Sequence, residues 1–348
     1  MERVPVVIAS PLEAELVQRL REVDERLDVH FEPELLPTPR YPSDHHGDEG
    51  FRRSAEQDER FAALVASAEV LFGIPEEEPA RLAWAVRAAP ALRLVQATAA
   101  GAGQQVRRAE LTADELERVA ICSASGVHAV PLAEWSIFGL LAFTKGLPRL
   151  RRDAMQRYWA HYPTTELRGQ TLLVVGVGAI GLEVARLASA FGMRVVGVKR
   201  NTNVELPNVD SLHPPERLRE LVGDAHAIVV TLPLTDETRG LIDRETIGRM
   251  RDGAIFVNVG RGRVVDEEAL IEALRSGKLG GAALDVTFKE PLPPGSPLWE
   301  LENVILSPHT AALSWHENER IVELFAENLR RYLRGGELLS RVRTSVFY

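Results

Sequence analysis

Short apolar runs alternate with segments of helical period along almost the whole chain. Strands that alternate with helices predict a parallel sheet with helices on both of its faces. The alternation runs in two series, separated by a long helical stretch over residues 131–158 that breaks near Gly146 and Pro148. The sequence therefore predicts an α/β fold built from two related lobes.

The strand candidates are short and apolar, and turn-forming or helical segments separate most of them. Helical spacing of apolar residues predicts helices over residues 12–27 and 78–88. The strand candidates are residues 6–8, 70–72, 92–96 and 119–122 in the first series, and 171–175, 194–198, 227–230, 254–257, 281–284 and 304–306 in the second.

The predicted lobes are not simple halves of the chain. A last helix over residues 315–333 follows the second series and could return to the first lobe. The first lobe would then comprise residues 1–126 and 311–348, and the second lobe residues 127–310.

Composition excludes several classes of partner. The chain has 348 residues and a formal net charge of −9, which disfavours nonspecific binding to nucleic acid because such binding depends on Lys and Arg neutralising phosphates. No uncharged apolar stretch approaches the roughly 20 residues of a membrane helix. The single cysteine, Cys122, cannot form an intrachain disulfide, so a reducing compartment is compatible. The expected location is the cytoplasm.

Residues 37–50 contain turn formers without a period, and they predict a loop or an insertion. The insertion, taken as residues 37–60, has no evident role. His45 and His46 lie in it between two aspartates, which could suggest a metal site. The pair lacks helical spacing, so we interpret both as solvated loop residues and predict no metal site.

A glycine-rich turn follows the apolar run 171–175 and precedes a helical segment. Glycine permits a tight turn and close approach of a pyrophosphate, while the helix N-terminus offers free N–H groups to that anion. This context favours a dinucleotide-binding lobe of the Rossmann type over an ordinary strand-to-helix turn. The turn consists of Gly176, Val177, Gly178, Ala179, Ile180 and Gly181.

The end of the following strand carries Lys199 and Arg200, where NAD sites usually have an acidic residue that binds the ribose 2′-hydroxyl. Two cations would attract a 2′-phosphate through charge-assisted hydrogen bonds. The sequence therefore favours NADP(H) as cofactor. NAD(H) remains possible if both cations are solvated loop residues.

Three ionisable residues follow consecutive strand candidates of the second series, namely Arg261, Glu290 and His309. Each has an ordinary interpretation by itself: a surface arginine, a loop carboxylate and a structural histidine. Ligands of open α/β sheets bind at the carboxyl ends of the strands, and an arginine fork, a carboxylate and an imidazole suit the binding and protonation of a 2-oxo acid. The ordered trio therefore predicts a catalytic site.

The segments of this chain, taken in their order along the sequence, resemble those of the D-isomer-specific 2-hydroxyacid dehydrogenases. This family includes glyoxylate/hydroxypyruvate reductases, D-lactate dehydrogenases and phosphoglycerate dehydrogenases. The resemblance covers nearly the whole chain and is strongest from residue 167 to residue 309. Its specific segments are the glycine turn, residues 126–129 with 133–134, 232–235 with 237–238, 258–266, 283–286 with 290–291, and 307–309.

The resemblance implies a role for each member of the trio. His309 would be the general acid in reduction of a 2-oxo acid and the base in oxidation of a hydroxy acid. Glu290 would hydrogen-bond His309 and favour its protonated form. Arg261 would bind the substrate carboxylate and the 2-oxo oxygen.

The resemblance also implies further binding residues. Backbone N–H groups of Ala100 and Gly101 would bind the substrate carboxylate, and Asp285 would meet the nicotinamide carboxamide. The first lobe would be a flavodoxin-like substrate-binding lobe, with the substrate held between the lobes and shielded from water by closure. Besides the glycine turn, Lys199 and Arg200, the implied cofactor residues include Leu232, Pro233 and Val259.

The resemblance favours reduction of a small 2-oxo acid such as glyoxylate or hydroxypyruvate, by a homodimer formed through residues 131–158. The chain departs from the usual family pattern at Lys199 and at Cys122-Ser123, where many members have Thr-Asn. The physiological acid and the preferred direction of the reaction stay open.

Two alternatives remain. The protein could be another dehydrogenase of the same fold that acts on formate or phosphite. Formate dehydrogenases of this type pair Gln with His, so Glu290 argues against formate as the substrate. A dinucleotide-sensing protein would instead act through a partner-binding surface. The sequence has no evident peptide-docking motif or disordered tail to support that function.

Overall fold

The computed structural model describes residues 3–344. The chain forms two compact units. One unit comprises the described residues up to His128 together with those from Leu313 onward, and the other comprises Ala129–Ala312. Each unit is built on one parallel sheet, which confirms the predicted α/β class.

The first unit has a five-stranded sheet in the order β2-β1-β3-β4-β5, with every pair parallel. This is the strand order of flavodoxin-like folds. Its strands are β1 Val4–Ile8, β2 Leu27–His30, β3 Val70–Phe72, β4 Leu94–Gln96 and β5 Ala120–Cys122. Its helices are α1 Ala14–Arg21, α2 Ala55–Ala66, α3 Pro79–Ala88, α4 Ala102–Arg108, α5 Ala113–Arg118 and α12 Glu317–Leu333.

Helices cover both faces of this sheet, and for that reason its inner strands β1 and β3 read as apolar runs, whereas the edge strand β2 alternates in burial. Strand β3 is buried throughout. On one face the ring of Phe72 contacts the ring of Phe325 in α12, with centroids 5.2 Å apart. Such a pair contributes about 0.5–1.5 kcal/mol beyond the burial of its area. Helix α12 is thus part of the core of the first unit.

The second unit has a seven-stranded parallel sheet in the order β12-β11-β10-β9-β6-β7-β8. Its strands are β6 Thr171–Val175, β7 Arg194–Val198, β8 Ser211–His213, β9 Ala227–Val230, β10 Ala254–Asn258, β11 Leu279–Leu284 and β12 Val304–Leu306. Its helices are α6 Ala129–Thr144, α7 Leu147–Met155, α8 Ala179–Ala190, α9 Leu218–Leu221, α10 Arg244–Arg249 and α11 Glu267–Arg275.

The helix predicted over residues 12–27 is too long. Helix α1 ends at Arg21, and Leu27 begins strand β2. The Asp24 carboxylate accepts the backbone N–H of Arg26 at 3.0 Å and its Nε–H at 2.8 Å. This side-chain turn competes with helical hydrogen bonding, so it separates the helix from a strand that the sequence analysis did not identify.

The predicted insertion over residues 37–60 is also too long, because helix α2 begins at Ala55. Ser54 accepts the Gln57 N–H, and the Gln57 side chain accepts the Ser54 N–H, which forms a capping box. Strand β8 was not predicted either. It is only three residues long and pairs with the single neighbour β7 at the edge of the sheet.

The loop over residues 37–50 is tied to the first unit by side chains. Asp44 is 3% exposed; its carboxylate accepts Arg40 Nε–H at 2.7 Å and the Gly47 N–H at 3.1 Å. His45 is half-buried, with Nε2 2.8 Å from Asn318 Oδ1, so its interpretation as a solvated residue is wrong. Within residues 3–344, no group of three or more His, Cys, Asp or Glu side chains could hold a metal ion.

No helix in the part of the chain that the structure describes is both long enough and apolar enough to cross a membrane.

Cys122 lies in β5 with no exposed surface. Burial raises the pKa of its thiol to about 12, which leaves almost no thiolate at pH 8. We therefore expect iodoacetamide not to label Cys122 in the native protein at pH 8, and to label it fully in 6 M guanidinium. Mass spectrometry measures both states. Rapid native labelling would contradict the buried position of the thiol.

Candidate active site

His309 and Glu290 are in direct contact. His309 Nδ1 lies 2.7 Å from Glu290 Oε2, and Glu290 Oε1 accepts the Thr287 N–H at 3.1 Å. A carboxylate can only accept hydrogen bonds, so Nδ1 is the donor and Nε2 is the ring atom from which a proton can be transferred. Both side chains are partly exposed, at 45% for His309 and 39% for Glu290.

The backbone of His309 is in the left-handed region, with φ at +57°. A non-glycine residue rarely adopts this conformation unless its surroundings hold it there. Asp285 supplies part of that support, because its carbonyl accepts the His309 N–H and its Oδ1 accepts the Ala311 N–H, both at 3.0 Å. Asp285 is 2% exposed, so in this structure its side chain holds the His309 loop.

Arg261 lies in a turn that follows β10, and its side chain is exposed. Asn258, which is 1% exposed, organises this turn. Its Oδ1 accepts the Gly260 N–H at 3.0 Å, and its Nδ2 donates to the Arg261 carbonyl at 3.2 Å. Asn258 was not among the residues predicted for the site. The signal was its position, since it is the last residue of a buried strand and stands two residues before Gly260.

Strands β10, β11 and β12 are parallel neighbours. Arg261, Glu290 and His309 follow these strands in turn, so all three lie at the carboxyl edge of one sheet. The turn of Arg261 also packs directly on the loop of Glu290. A Cβ atom at Gly262 would lie 1.9 Å from the Thr287 carbonyl oxygen, a separation that only glycine permits.

The glycine turn connects β6 to α8, whose first residue is Ala179. No side chain caps the N-terminus of α8 at Gly178, and a Cβ atom built at Gly178 would meet nothing within 4 Å. At Gly181 the same atom would lie 2.3 Å from the Gly176 carbonyl oxygen. The turn is therefore tight on its inner side and open at the helix N-terminus, where it can accept a pyrophosphate.

The two predicted readers of the 2′-phosphate have other partners in this structure. Lys199 is half-buried, and its Nζ donates to the Val177 carbonyl at 2.7 Å. Arg200 is exposed and forms an ion pair with Glu237, with Nη1 and Oε2 3.0 Å apart. Lys199 thus braces the glycine turn, while Arg200 lies in solvent at the end of β7.

Of the other predicted cofactor residues, Leu232 lies between the glycine turn and the turn of Arg261, and Pro233 follows it in the chain. A Cβ atom at Gly176 would contact the Leu232 side chain at 2.8 Å, and one at Gly260 would contact the Leu232 carbonyl oxygen at 2.5 Å. Val259 is 3% exposed. Leu232 therefore connects the two turns within the second unit.

Ala100 and Gly101 are exposed and follow β4 in the first unit. A buried carboxylate that was not predicted, Glu77, contacts this part of the chain. Glu77 Oε1 accepts Thr98 Oγ1–H at 2.8 Å and Ser10 Oγ–H at 3.3 Å. Glu77 therefore ties together the segments that follow three strands of that sheet.

Comparison with known proteins shows the family. Residues 137–311 match the model of the D-isomer specific 2-hydroxyacid dehydrogenase NAD binding domain. A glyoxylate reductase from Korarchaeum cryptofilum is 36% identical over 257 residues, which cover 71% of this chain and 75% of that protein.

Solved structures agree over the full length. A D-isomer specific 2-hydroxyacid dehydrogenase from Xanthobacter autotrophicus, in complex with NADPH and MES, has 27% identity and a TM-score of 0.77, and the match covers 100% of both chains. A family protein from Aeromonas salmonicida has 28% identity and a TM-score of 0.77, covering 99% of this chain and 100% of that one.

The chain belongs to the D-isomer specific 2-hydroxyacid dehydrogenase family. It is an oxidoreductase of that family and uses a nicotinamide dinucleotide.

Proposed function

We propose that this protein reduces a small 2-oxo acid of the glyoxylate or hydroxypyruvate type to the D-2-hydroxy acid, with NADPH as the favoured hydride donor. The observation that carries the proposal is the His309–Glu290 contact of 2.7 Å at the carboxyl edge of the sheet. The glyoxylate reductase from Korarchaeum cryptofilum supports the substrate class.

In the proposed reaction, the bound dinucleotide supplies a hydride to C2 of the 2-oxo acid. Arg261 binds the substrate carboxylate and polarises the C2 carbonyl with its guanidinium N–H groups. The imidazolium of His309 donates its Nε2 proton to the carbonyl oxygen, which becomes the hydroxyl of the product. In oxidation the neutral imidazole takes that proton back.

Glu290 acts through His309. Its negative charge stabilises the imidazolium that donates the proton, and its hydrogen bond fixes the plane of the ring. Asp285 and Asn258 act one step further away, because they hold the backbones of His309 and Arg261. We also propose that the N–H groups of Ala100 and Gly101 bind the substrate carboxylate, and that Asp285 meets the nicotinamide carboxamide.

The substrate is tested by oxidation of NADPH and NADH with glyoxylate, hydroxypyruvate, pyruvate and phenylpyruvate. We expect the highest kcat/KM with glyoxylate or hydroxypyruvate, and a D-configured product from hydroxypyruvate on a chiral column. Faster turnover of phenylpyruvate would overturn the substrate class. Turnover of none of the four acids, together with tight dinucleotide binding, would favour a sensor function.

Preference for NADPH is proposed to rest on Arg200, with Lys199 bracing the glycine turn. A charge-assisted hydrogen bond to phosphate contributes about 1.5–3 kcal/mol. Arg200→Gln is therefore expected to raise the KM for NADPH about 10-fold or more, while the KM for NADH changes less than about 2-fold. Initial rates at saturating 2-oxo acid give both constants.

Glu237→Gln is the matched variant for this test, because it removes the ion-pair partner of Arg200. An exposed ion pair contributes only about 0–1 kcal/mol, so the KM for NADPH should fall by roughly 2- to 3-fold. If NADH and NADPH respond equally to both variants, Arg200 does not read the 2′-phosphate.

We further propose a cytoplasmic homodimer. Exposed apolar side chains lie in and just after α7, with Met155 at 81% and Trp159 at 90% exposure. Several large apolar side chains exposed within one short segment are typical of a protein interface. Light scattering coupled to gel filtration measures the mass, and a monomer at micromolar concentration would contradict the dimer.

A further inference from the structure

We propose that Glu267 is a positioning residue of the active site, which holds the Glu290 loop through the Phe288 amide and places a second negative charge beside the Glu290–His309 pair. The inference rests on the proposed function, because it assigns His309 the proton-transfer step. Neither the sequence motifs nor the comparisons assign a role to Glu267.

The contacts of two successive amides carry the inference. The Thr287 N–H donates to Glu290 Oε1 at 3.1 Å, and the next amide, Phe288 N–H, donates to Glu267 Oε2 at 2.7 Å. The two carboxylates therefore bind adjacent peptide units of one loop. Glu290 then uses its second oxygen, Oε2, to contact His309 at 2.7 Å. The result is a chain from Glu267 through the loop to the imidazole.

Glu267 is well placed to be rigid. It is the first residue of α11, and the side chain of Asp266 caps that helix by accepting the Ala269 N–H at 3.0 Å. The preceding Gly262 lies against the Thr287–Phe288 peptide. Helix α11 and the turn of Arg261 thus hold the same loop from one continuous segment.

Charge gives Glu267 an effect beyond position. The side chain is half-buried; burial raises the pKa of its carboxyl, the hydrogen bond from Phe288 lowers it, and the nearby Glu290 raises it. The net result is a raised pKa, and the contribution of Glu290 to it means that the two carboxylates interact electrostatically. Once both are ionised, each carboxylate adds a negative charge on the side of the loop that holds the His309 contact.

Other charged groups near Glu267 lie in solvent. The groove beside it is lined by Glu268, Glu272 and Arg275 from α11 and by Lys289 from the loop. Arg263 approaches from the other side, with Nε 3.4 Å from the Phe288 carbonyl oxygen. Salt and water screen the charges of such exposed groups. The charge of the half-buried Glu267 is screened less, so its electrostatic effect on neighbouring groups is larger.

The direct test is the titration of His309 by NMR in protein labelled with ¹⁵N-histidine, with the His309 signal assigned by its loss in His309→Asn. In Glu267→Gln the amide oxygen can still accept the Phe288 N–H, but the charge is gone. We expect the midpoint of the His309 titration to fall by about 0.5 pH units. The measurement needs no turnover, so it remains decisive if none of the tested acids is a substrate.

A second readout uses activity. Reduction requires protonated His309 and oxidation requires the neutral ring, so loss of the Glu267 charge should move the alkaline limb of reduction and the acid limb of oxidation to lower pH by the same amount. Glu267→Ala should also lower kcat about 10-fold, since the Phe288 N–H loses its acceptor. In Glu267→Gln, which keeps an acceptor for the Phe288 N–H, a residue with a structural role alone would leave both pH profiles unchanged.

Glu268→Gln is the matched control, because it makes the same charge change one residue away on the exposed side of α11. It should leave the His309 titration within about 0.1 pH units of the wild type, given the screening of exposed charges. An equal shift in both variants would assign the effect to net charge, and an unchanged titration in Glu267→Gln would overturn the proposal.

Discussion

Asparagine at position 309 is expected to lower kcat for reduction of the 2-oxo acid by about 10²–10⁴-fold, the usual contribution of a positioned acid or base. Asparagine suits the test because it tolerates the left-handed backbone better than most residues, and His309 has φ at +57°. The loop should keep its shape, while the group that we propose as the proton donor is lost. Dinucleotide affinity, measured by fluorescence titration, should change less than about 3-fold.

His316 provides the control for this variant. It also contacts a glutamate, with Nδ1 3.1 Å from Glu319 Oε2, and its side chain is 66% exposed. His316→Asn removes the same chemical group from an exposed His–Glu pair and should leave kcat within about 2-fold of the wild type, as surface substitutions usually do. A loss below about 10-fold in His309→Asn would contradict the assignment of His309 as the general acid.

Local patterns were enough to predict the framework of the site. The alternation of strands and helices predicted two parallel sheets, and strand order then determines which strand ends share an edge. Arg261, Glu290 and His309 each follow a strand in the sequence, and β10, β11 and β12 are neighbours in the sheet. The specific motifs around these residues made the resemblance to the family possible, and the comparisons confirmed it.

The supporting residues could not be predicted in this way. Glu267 binds an amide that is 21 positions away in the sequence, and no local pattern specifies such a contact. Asn258 has a local role, but an amide side chain at the end of a strand has many possible partners. The side-chain turn at Asp24 likewise interrupts a helical pattern that continues beyond it. Periodicity therefore does not determine where these elements end or which groups support the site. Tertiary contacts, and side chains that compete with backbone hydrogen bonds, determine both.

Alanine at position 262 is expected to reduce kcat/KM by about 100-fold. Its Cβ atom would lie 1.9 Å from the carbonyl oxygen and 2.0 Å from the carbonyl carbon of Thr287. Both are backbone atoms, so no side-chain rotation can relieve the overlap. Either the Arg261 turn or the Glu290 loop must move by about 1 Å or more, and a displacement of that size in a catalytic group can cost about 10²-fold in rate.

Gly248→Ala makes the same chemical change at a site where the new Cβ atom would meet nothing within 4 Å. Gly248 lies inside α10, so alanine there should raise the free energy of unfolding by about 0.5–1 kcal/mol. Its kcat/KM should match the wild type. Thermal unfolding and steady-state rates are measured for Gly262→Ala and Gly248→Ala. Their comparison distinguishes a general effect of an added methyl group from the specific overlap at Gly262.

The two kinetic constants distinguish the ways in which Gly262→Ala could act. Displacement of the Arg261 turn should raise the KM for the 2-oxo acid, since Arg261 is proposed to bind its carboxylate. Displacement of the Glu290 loop should instead lower kcat and shift the His309 titration, as Glu267→Ala is expected to do. Because Gly262 contacts Thr287 directly, we expect both constants to change together. Wild-type values of kcat and KM would show that the Arg261 turn and the Glu290 loop can move apart without loss of activity. That result would also remove the structural basis for the role of Glu267.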